Sequence, residues 1–187
     1  MRLVLKRILI IQLKRIGDFI LTAPAVAELR AAFPQAEIVM LVPKAVAELA
    51  GCIPAVSRVI PYASGAANLE AWSSALVGGW DACLDFTGTD RSALITKLSG
   101  AKLRIGYEKF ACKGLRKMAY TQLCPASVRD LHTVDFHLAM SDALKFRVGG
   151  KAECGSSESE LPVLNAEVPN AELRTPNPAF RNPQSAI

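Results

Sequence analysis

Hydrophobic and polar positions along the chain fall into blocks whose lengths are typical of strands and helices. Nearly continuous aliphatic runs at residues 8–13 and 37–42 predict strands that are buried on both faces, and W-D-A-C-L-D-F, residues 80–86, predicts another strand. Shorter mixed runs, S-R-V-I-P-Y and K-L-R-I-G-Y, predict two further strands. The strand pattern therefore recurs five times within the first 107 residues.

Helical patterns separate these strands. Apolar residues recur at helical spacing from Phe19 to Phe33, and Pro24 within this stretch predicts a helix that begins near Thr22 or is kinked there. An amphipathic helix is predicted over residues 133–146. Three shorter helices are predicted in the stretches P-K-A-V-A-E-L-A, N-L-E-A-W-S-S-A-L-V and A-L-I-T-K-L.

This alternation predicts an α/β fold, a Rossmann-like open parallel sheet with helices on both faces. Right-handed crossovers place the strand-to-helix loops together on one edge of such a sheet, where these folds bind ligands. Residues 1–150 are predicted to form this domain. Residues 151–187 contain five of the eleven prolines and little apolar material, which predicts a linker or disordered tail that reaches no second domain.

The charge distribution favours an anionic partner for the body of the chain. The net charge is +5, but residues 151–187 carry −2, which leaves +7 on residues 1–150. The five cysteines form no C-x-x-C pair, so neither a disulfide framework nor a zinc site is predicted, and a reducing cytoplasm fits best. Cations interrupt the apolar start of the chain, so no export signal or membrane span is predicted and any membrane contact is peripheral.

The stretch Q-L-K-R-I-G-D, residues 12–18, follows the first predicted strand. Gly17 stands alone in it, whereas a dinucleotide-binding turn needs three glycines. Asp18 admits two interpretations, a general base for a hydroxyl group held at this turn or an N-cap of the following helix. Lys14 and Arg15 could contact phosphates or acidic sugars, or simply face solvent.

A second basic region covers residues 97–117, which contain seven cations and a single acidic residue, Glu108. It is the best candidate for contact with an anionic lipid surface or a phosphorylated acceptor, although charge runs are often only solvated. Nucleic acid is not expected as a partner, because aromatic residues are sparse and no binding motif is present. The cations are Lys97, Lys102, Arg104, Lys109, Lys113, Arg116 and Lys117.

Two further positions follow the strand that ends at Asp85. Gly88 is predicted to form a structural turn, and Arg91 could reach a ligand at the predicted binding edge or join an ion pair on the helix surface. His132 and His137 are five residues apart and would not share a helical face, so no metal pair is predicted.

Three blocks resemble the bacterial lipopolysaccharide heptosyltransferases, glycosyltransferase family nine. The first is I-L-I-I-Q-L-K-R-I-G-D-F-I-L-T-A-P-A-V-A-E-L-R-A-A-F-P-Q-A-E-I. The second is D-F-T-G-T-D-R-S-A-L-I-T-K-L-S-G-A-K-L-R-I-G-Y, and the third is H-T-V-D-F-H-L-A-M-S-D-A-L. They are similar to the amino-terminal signatures of that family, in family order and spacing, over residues 7–146.

The resemblance implies the amino-terminal, acceptor-binding half of a GT-B glycosyltransferase, with the donor domain absent from this chain. It implies transfer of heptose from ADP-heptose, with inversion, to a lipopolysaccharide core or lipid A precursor at the cytoplasmic face of the inner membrane. Asp18 would be the base, and neither a metal nor a further cofactor is expected. The residues predicted to hold the acceptor are Lys14, Arg15, Gly17, Arg91, Lys109, Lys113, Arg116 and Lys117.

Two alternatives from other functional classes remain open. The chain could be a non-catalytic module that binds the acceptor or the membrane. It could also be an unrelated Rossmann-like nucleotide-binding domain, against which the missing glycine fingerprint argues.

Some family members have a lysine at the position of Gln12, so a contact made by that lysine does not carry over.

Overall fold

The computed structural model describes residues 4–63, 69–111, 114, 116–127, 129 and 131–149. The predicted tail at 151–187 and Lys113 lie outside the described residues. Within the described part of the chain, no helix is long and apolar enough to cross a membrane.

Six strands form one sheet in which every pairing is parallel, in the order β3-β2-β1-β4-β5-β6. The predicted open parallel sheet is therefore confirmed. Sequence reasoning missed the sixth strand, because three residues are too few to show a pattern. The strands are β1 (Arg7–Ile11), β2 (Glu37–Pro43), β3 (Arg58–Tyr62), β4 (Ala82–Asp85), β5 (Leu103–Tyr107) and β6 (Gln122–Cys124).

Among the described residues, six α-helices and one 3-10 turn lie between the strands, and a seventh α-helix follows β6. The predicted long helices are present, and two one-turn helices, α5 and α6, were not predicted. The helices are α1 (Ile16–Ala32), α2 (Ala47–Gly51), α3 (Leu69–Leu76), α4 (Asp90–Leu98), α5 (Glu108–Ala111), α6 (Arg116–Ala119) and α7 (Thr133–Gly149), and the 3-10 turn is Lys44–Val46.

Helix α1 begins at Ile16, so the prediction of a start near Thr22 is wrong. Pro24 lies inside the helix, where its missing N–H leaves one backbone carbonyl without its usual donor. The hydroxyl of Thr22 donates to the Asp18 carbonyl oxygen at 2.8 Å, which is an extra bond within the same stretch. Because α1 starts directly after the β1 turn, Asp18 belongs to the helix and not to the loop before it.

Two hydrophobic layers cover the two faces of the sheet. Ile8, Ile10 and Leu84 face the layer that contains helices α1 and α7, whereas Leu9 and Cys83 face the layer that contains α3 and α4. Alternating side chains of each central strand thus enter opposite layers, as expected of a doubly covered sheet. Trp80 and Cys83 are core residues.

The strand order reverses between β1 and β4, which are neighbours in the middle of the sheet. Helix α1 and helix α4 leave the carboxyl ends of these two strands toward opposite faces. A crevice opens at such a switch point, and ligands of open α/β sheets bind there. Two segments flank this point: residues 12–18, which run from the end of β1 into the first three residues of α1, and residues 85–89, between β4 and α4. They are called the first turn and the second turn below.

Candidate functional site at the carboxyl edge of the sheet

The two turns at the switch point are tied to each other by hydrogen bonds. The Leu13 N–H donates to the Thr87 hydroxyl oxygen at 2.7 Å, and the Phe86 N–H donates to the Ile11 carbonyl oxygen at 3.0 Å. These bonds hold the start of both turns in one register. The two turns therefore form one platform at the carboxyl edge.

Asp18 is the third residue of helix α1 and is half-buried. The N-cap position is Arg15, which has extended backbone angles and makes no side-chain cap hydrogen bond. The N-cap interpretation of Asp18 is therefore wrong. Within the described residues no donor is bonded to the Asp18 carboxylate, so its oxygens are available to a ligand.

The backbone beneath Asp18 is held by a buried polar pair. The Gln12 amide Nε2 donates to the Thr22 hydroxyl at 2.7 Å, and that hydroxyl donates in turn to the Asp18 carbonyl oxygen. Both side chains are fully buried. Sequence analysis did not assign this role to Gln12, although an amide at the end of an otherwise aliphatic strand is a signal that it has a specific partner.

Cationic and apolar side chains surround the same turn. Lys14 is half-buried, with its ammonium 5.6 Å from the centre of the Phe110 ring, and Arg15 is exposed. Ile16 and Ile20 lie one helical turn apart on α1 and are 55% and 54% exposed. The turn thus combines positive charge with exposed apolar surface.

Gly17 is exposed, and a Cβ added to it would meet no atom within 4 Å. The structure gives no steric reason for a glycine at this position. Its contact with an acceptor stays a prediction.

The second turn is built around Asp85, which is fully buried at the end of β4. Its Oδ1 accepts from the N–H groups of Thr87 and Gly88 at 2.8 and 3.0 Å, and its Oδ2 accepts from the Tyr120 hydroxyl at 2.7 Å. Burial raises the pKa of the Asp85 carboxyl above its ordinary value, against the opposing effect of these hydrogen bonds. Sequence analysis missed Asp85 and Tyr120 because their contact spans 35 residues.

Gly88 lies between β4 and helix α4, in the second turn. Its φ is +71°, a conformation that favours glycine, and a Cβ there would lie 2.3 Å from a ring atom of Phe110. Thr89 then caps helix α4 through a reciprocal pair with Ser92. The polar groups of the second turn that are described above are therefore hydrogen-bonded within the protein.

Arg91 lies at the rim of a shallow groove and is exposed. Its guanidinium carbon is 5.9 Å from the centre of the Tyr62 ring. The groove has a volume of about 420 Å³ and is lined by Leu13, Tyr62, Thr89, Asp90 and Arg91. Arg91 thus stands at the predicted edge, and its contact with an acceptor stays a prediction.

Arg116 is engaged within the protein. Its Nε lies 2.6 Å from Asp90 Oδ1, and its Nη1 donates to the Gly88 carbonyl oxygen at 3.2 Å. The hydrogen bond from Arg116 lowers the pKa of the Asp90 carboxyl. Arg116 therefore braces the second turn, and any acceptor contact would need the guanidinium to be shared.

The basic segment does not form one continuous surface. Lys97 lies in the last turn of helix α4, and Lys102 precedes β5 with its ammonium 3.8 Å from Asp81, so both lie toward the amino edge of the sheet. Lys109 and Lys117 are exposed, and Lys109 belongs to the short helix that follows β5 at the carboxyl edge. Strand β5 separates the two groups of cations, which sequence proximity alone could not show.

A buried histidine lies behind the first turn. His137, near the start of α7, is fully buried, and its Nδ1 is 3.0 Å from the Tyr107 hydroxyl. Burial lowers the pKa of the imidazole to about 4; the positive charge of Lys14 adds to this effect and the negative charge of Asp18 opposes it. The neutral ring is therefore the form present at physiological pH. His132 precedes helix α7 and is exposed.

No metal centre is found in the part of the chain that the structure describes. Within it, no group of three or more His, Cys, Asp or Glu side chains could hold a metal ion.

The fold is that of an open, doubly covered parallel sheet with a switch-point crevice, a class that includes sugar-transferring and nucleotide-binding proteins. Solved structures with this architecture include the E. coli heptosyltransferase WaaC with ADP, at 24% identity and a TM-score of 0.64 over 80% of this chain and 49% of that one. They also include E. coli ADP-heptose LPS heptosyltransferase II, at 22% identity and a TM-score of 0.60 over 72% and 40% of the two chains.

A third similar structure is the glycosyl transferase family 9 protein of Veillonella parvula, at 20% identity and a TM-score of 0.66. That similarity covers 76% of this chain and 42% of the other. No family model matches the chain, and no curated protein matches it. The chain spans about half the length, or less, of these solved structures.

These similarities confirm the expected fold. The chain has a heptosyltransferase-like fold of the kind found in glycosyltransferase family nine, over the part of those structures that it covers. They also agree with the family resemblance carried by the three sequence blocks.

Proposed function

We propose that the chain provides the acceptor-binding half of a glycosyltransferase of the heptosyltransferase type. The reaction is transfer of heptose from ADP-heptose, with inversion, to a lipopolysaccharide core or lipid A precursor. The observation that supports this most strongly is the Asp18 carboxylate, which is accessible, unbonded within the described residues and fixed on a rigid turn at the switch point. A carboxylate so placed suits a general base.

Asp18 acts as the base in one displacement step. The acceptor hydroxyl oxygen attacks the anomeric carbon of the heptose, its proton passes to the Asp18 carboxylate, and the bond from that carbon to the ADP oxygen breaks. Attack from the face opposite the departing ADP inverts the configuration. The buried pair of Gln12 and Thr22 holds the Asp18 backbone still, which limits loss of alignment.

The cations at the carboxyl edge hold the anionic acceptor. Lys14 and Arg15 lie beside Asp18, Lys109 lies on the short helix after β5, and Arg91 stands at the groove next to Tyr62. An arginine can bind a phosphate through two parallel hydrogen bonds, while a lysine acts as a point charge. ADP-heptose would be held mainly by structure outside this chain, and no other cofactor is proposed.

A peripheral contact with the cytoplasmic face of the inner membrane is a second element of the proposal. Ile16 and Ile20 present apolar surface at the same edge as the cation Arg15. An anionic lipid surface attracts basic residues and accepts shallow apolar insertion. This arrangement also fits the alternative that the chain is a non-catalytic module for acceptor or membrane binding.

Binding of the acceptor can be tested on the chain itself. Flotation is measured with vesicles that carry heptose-free lipopolysaccharide and with phosphatidylglycerol vesicles of equal charge. The proposal predicts tighter binding to the first kind, and Asp18→Asn should leave that binding unchanged. Equal binding to both kinds of vesicle would show that the chain is attracted to anionic membranes and does not recognise the sugar acceptor.

Catalysis is tested in a fusion of this chain to the part of E. coli WaaC that it does not cover. Transfer of labelled heptose from ADP-heptose should occur in the fusion and should be lost in its Asp18→Asn variant. Retained transfer in the variant would remove Asp18 as the base. Specific binding of ATP or NAD to the chain alone, seen by calorimetry, would favour the nucleotide-binding alternative.

A further inference from the structure

The His137 side chain leaves one polar atom without a partner. The ring is fully buried, and its Nε2 has no hydrogen-bond partner within the described residues. The ring is packed by aromatic neighbours, with the Phe86 centroid at 5.3 Å and the Phe136 centroid at 5.5 Å. A buried polar atom without a partner carries a cost, and such atoms recur where a functional site uses them.

The tautomer of His137 depends on which neighbour accepts the proton of the Tyr107 hydroxyl. The Tyr107 hydroxyl has one proton, and the Phe136 carbonyl oxygen, 3.2 Å away, can only accept it. If the hydroxyl donates there, the His137 Nδ1 at 3.0 Å must carry the hydrogen and donate to the Tyr107 oxygen. This relay leaves Nε2 as a bare acceptor.

The donor on the side of the first turn is Lys14. Its ammonium lies over the Phe110 ring, which is 6.0 Å from the Tyr107 ring that supports His137. Lys14 forms no ion pair within 4 Å among the described residues, so its three N–H donors are available. Lys14 and His137 thus offer complementary groups within the same aromatic cluster. The other charged group that acts on the ring is Asp18, on α1.

We propose that His137, in the Nδ1–H tautomer, is a positioning residue whose Nε2 accepts a hydrogen bond from the Lys14 ammonium. This bond requires the flexible lysine stem to rotate, so that the ammonium leaves the Phe110 ring for Nε2. The bond fixes the cation beside Asp18, where a phosphate of the acceptor would be neutralised. The role in acceptor binding rests on the proposed function, whereas the tautomer and the hydrogen bond do not.

The hydrogen bond is tested by nuclear magnetic resonance on the purified chain with ¹⁵N-labelled histidine. His132 is the only other histidine and is exposed, so it serves as an internal reference. At neutral pH we expect a bare Nε2 and a protonated Nδ1 for His137, and Lys14→Met should move the Nε2 resonance while leaving His132 unchanged. A protonated Nε2, or an Nε2 resonance that ignores Lys14→Met, would overturn the proposal.

The functional consequence is tested with vesicles that carry heptose-free lipopolysaccharide. His137→Phe keeps an aromatic ring but removes the acceptor atom, and it should weaken binding about tenfold. His137→Gln offers a side-chain oxygen near the place of Nε2 and should restore part of the affinity. In the Lys14→Met background, His137→Phe should cause no further loss, and an additive loss would contradict the coupling.

The outcomes separate this proposal from the proposed function. If the wild-type chain does not select these vesicles, the acceptor proposal fails while the resonance experiment still decides the hydrogen bond. If His137→Phe fails to fold, His137→Gln and Lys14→Met in the resonance experiment still decide it. Normal binding with an unchanged Nε2 resonance in Lys14→Met would reject the positioning role alone.

Discussion

The two turns at the switch point have the same place in the fold and opposite chemistry. In the turn after β4, Asp85 is sealed from solvent, and its oxygens accept from two backbone N–H groups and one tyrosine hydroxyl. In the turn after β1, Asp18 is half-buried and no donor among the described residues bonds to its carboxylate. The hydrogen bonds to Asp85 stabilise the fold, whereas the carboxylate oxygens of Asp18 remain free to accept a hydrogen bond from a ligand. Comparison of the two turns separates a carboxylate that is bonded within the fold from one whose oxygens are free to bind a ligand.

The largest contrast is expected when each aspartate is replaced in turn. Asp18→Asn should lower heptose transfer in the fusion by roughly 10²–10⁴-fold, because the proton acceptor is lost, and should change the free energy of unfolding by no more than about 0.5 kcal/mol. Asp85→Ala should lower the free energy of unfolding by about 3 kcal/mol, because two buried backbone donors and the partly buried Tyr120 hydroxyl lose their acceptor. Urea denaturation and transfer rates measure both. The distinction between the two aspartates would be contradicted if Asp18→Asn mainly lowered the free energy of unfolding and Asp85→Ala mainly lowered transfer.

The histidine behind the first turn predicts a pH dependence of stability. Its pKa is lowered to about 4 from an ordinary value of 6.5, so the unfolded chain binds the proton more tightly. The stabilising contribution is therefore complete above pH 6.5 and is lost as the pH falls toward about 4. With solvent screening allowed for, the loss is roughly 2 kcal/mol.

His137→Phe removes this titration and is the variant to compare with the wild type. Its stability should be flatter between pH 6.5 and pH 4, whereas His132→Gln, at an exposed position, should keep the wild-type slope. An unchanged slope in His137→Phe would assign the titration to another group. Urea midpoints taken at half-unit pH steps are sufficient for the measurement.

The glycine of the second turn gives a smaller effect with a matched control. Gly88→Ala forces a left-handed backbone on alanine and pushes its Cβ to within 2.3 Å of the Phe110 ring. Gly100 has a similar φ of +66°, but its Cβ would meet nothing within 4 Å. Gly100→Ala should cost about 1 kcal/mol, and Gly88→Ala about 2 kcal/mol or more. Equal losses would show that Phe110 moves aside at no cost.

The smallest expected effect comes from a comparison of Arg15 and Arg116, both of which were predicted to contact the sugar acceptor. Arg15 is exposed and without an ion pair in the described part of the chain, so Arg15→Met should weaken vesicle binding about fivefold. Arg116 is paired with Asp90, so Arg116→Met should change vesicle binding less. A stronger effect of Arg116→Met on binding would mean that the guanidinium leaves Asp90 for the ligand.

Sequence patterns were sufficient for the main architecture because the aliphatic strands and their turns are locally encoded. The run Ile8–Ile11 and the turn at Gly88 could be recognised from neighbouring residues alone. Strand β6 was missed because it has only three residues. The start of α1 at Ile16 was misplaced because Pro24 was expected in a first turn, and the structure accommodates it inside the helix.

The candidate site could be predicted only as far as its local motif. Asp18, Lys14 and Arg15 are consecutive enough to be read as one group, and the structure places them at one turn. Asp85 with Tyr120, and His137 with Tyr107, are contacts between residues about 30 or more positions apart, which no local pattern encodes. The same limit explains why the cations of residues 97–117 were grouped although β5 separates them.

The most direct test of the account is to follow backbone amide resonances of the chain while a soluble heptose-free lipopolysaccharide core fragment is added. The account predicts saturable shifts at Gly17 and Asp18, with much smaller shifts at Thr87 and Gly88, whose N–H groups are already bonded to Asp85. Shifts that concentrate at Thr87 and Gly88, or no saturable shift at Gly17 and Asp18, would contradict the assignment of the first turn as the acceptor site.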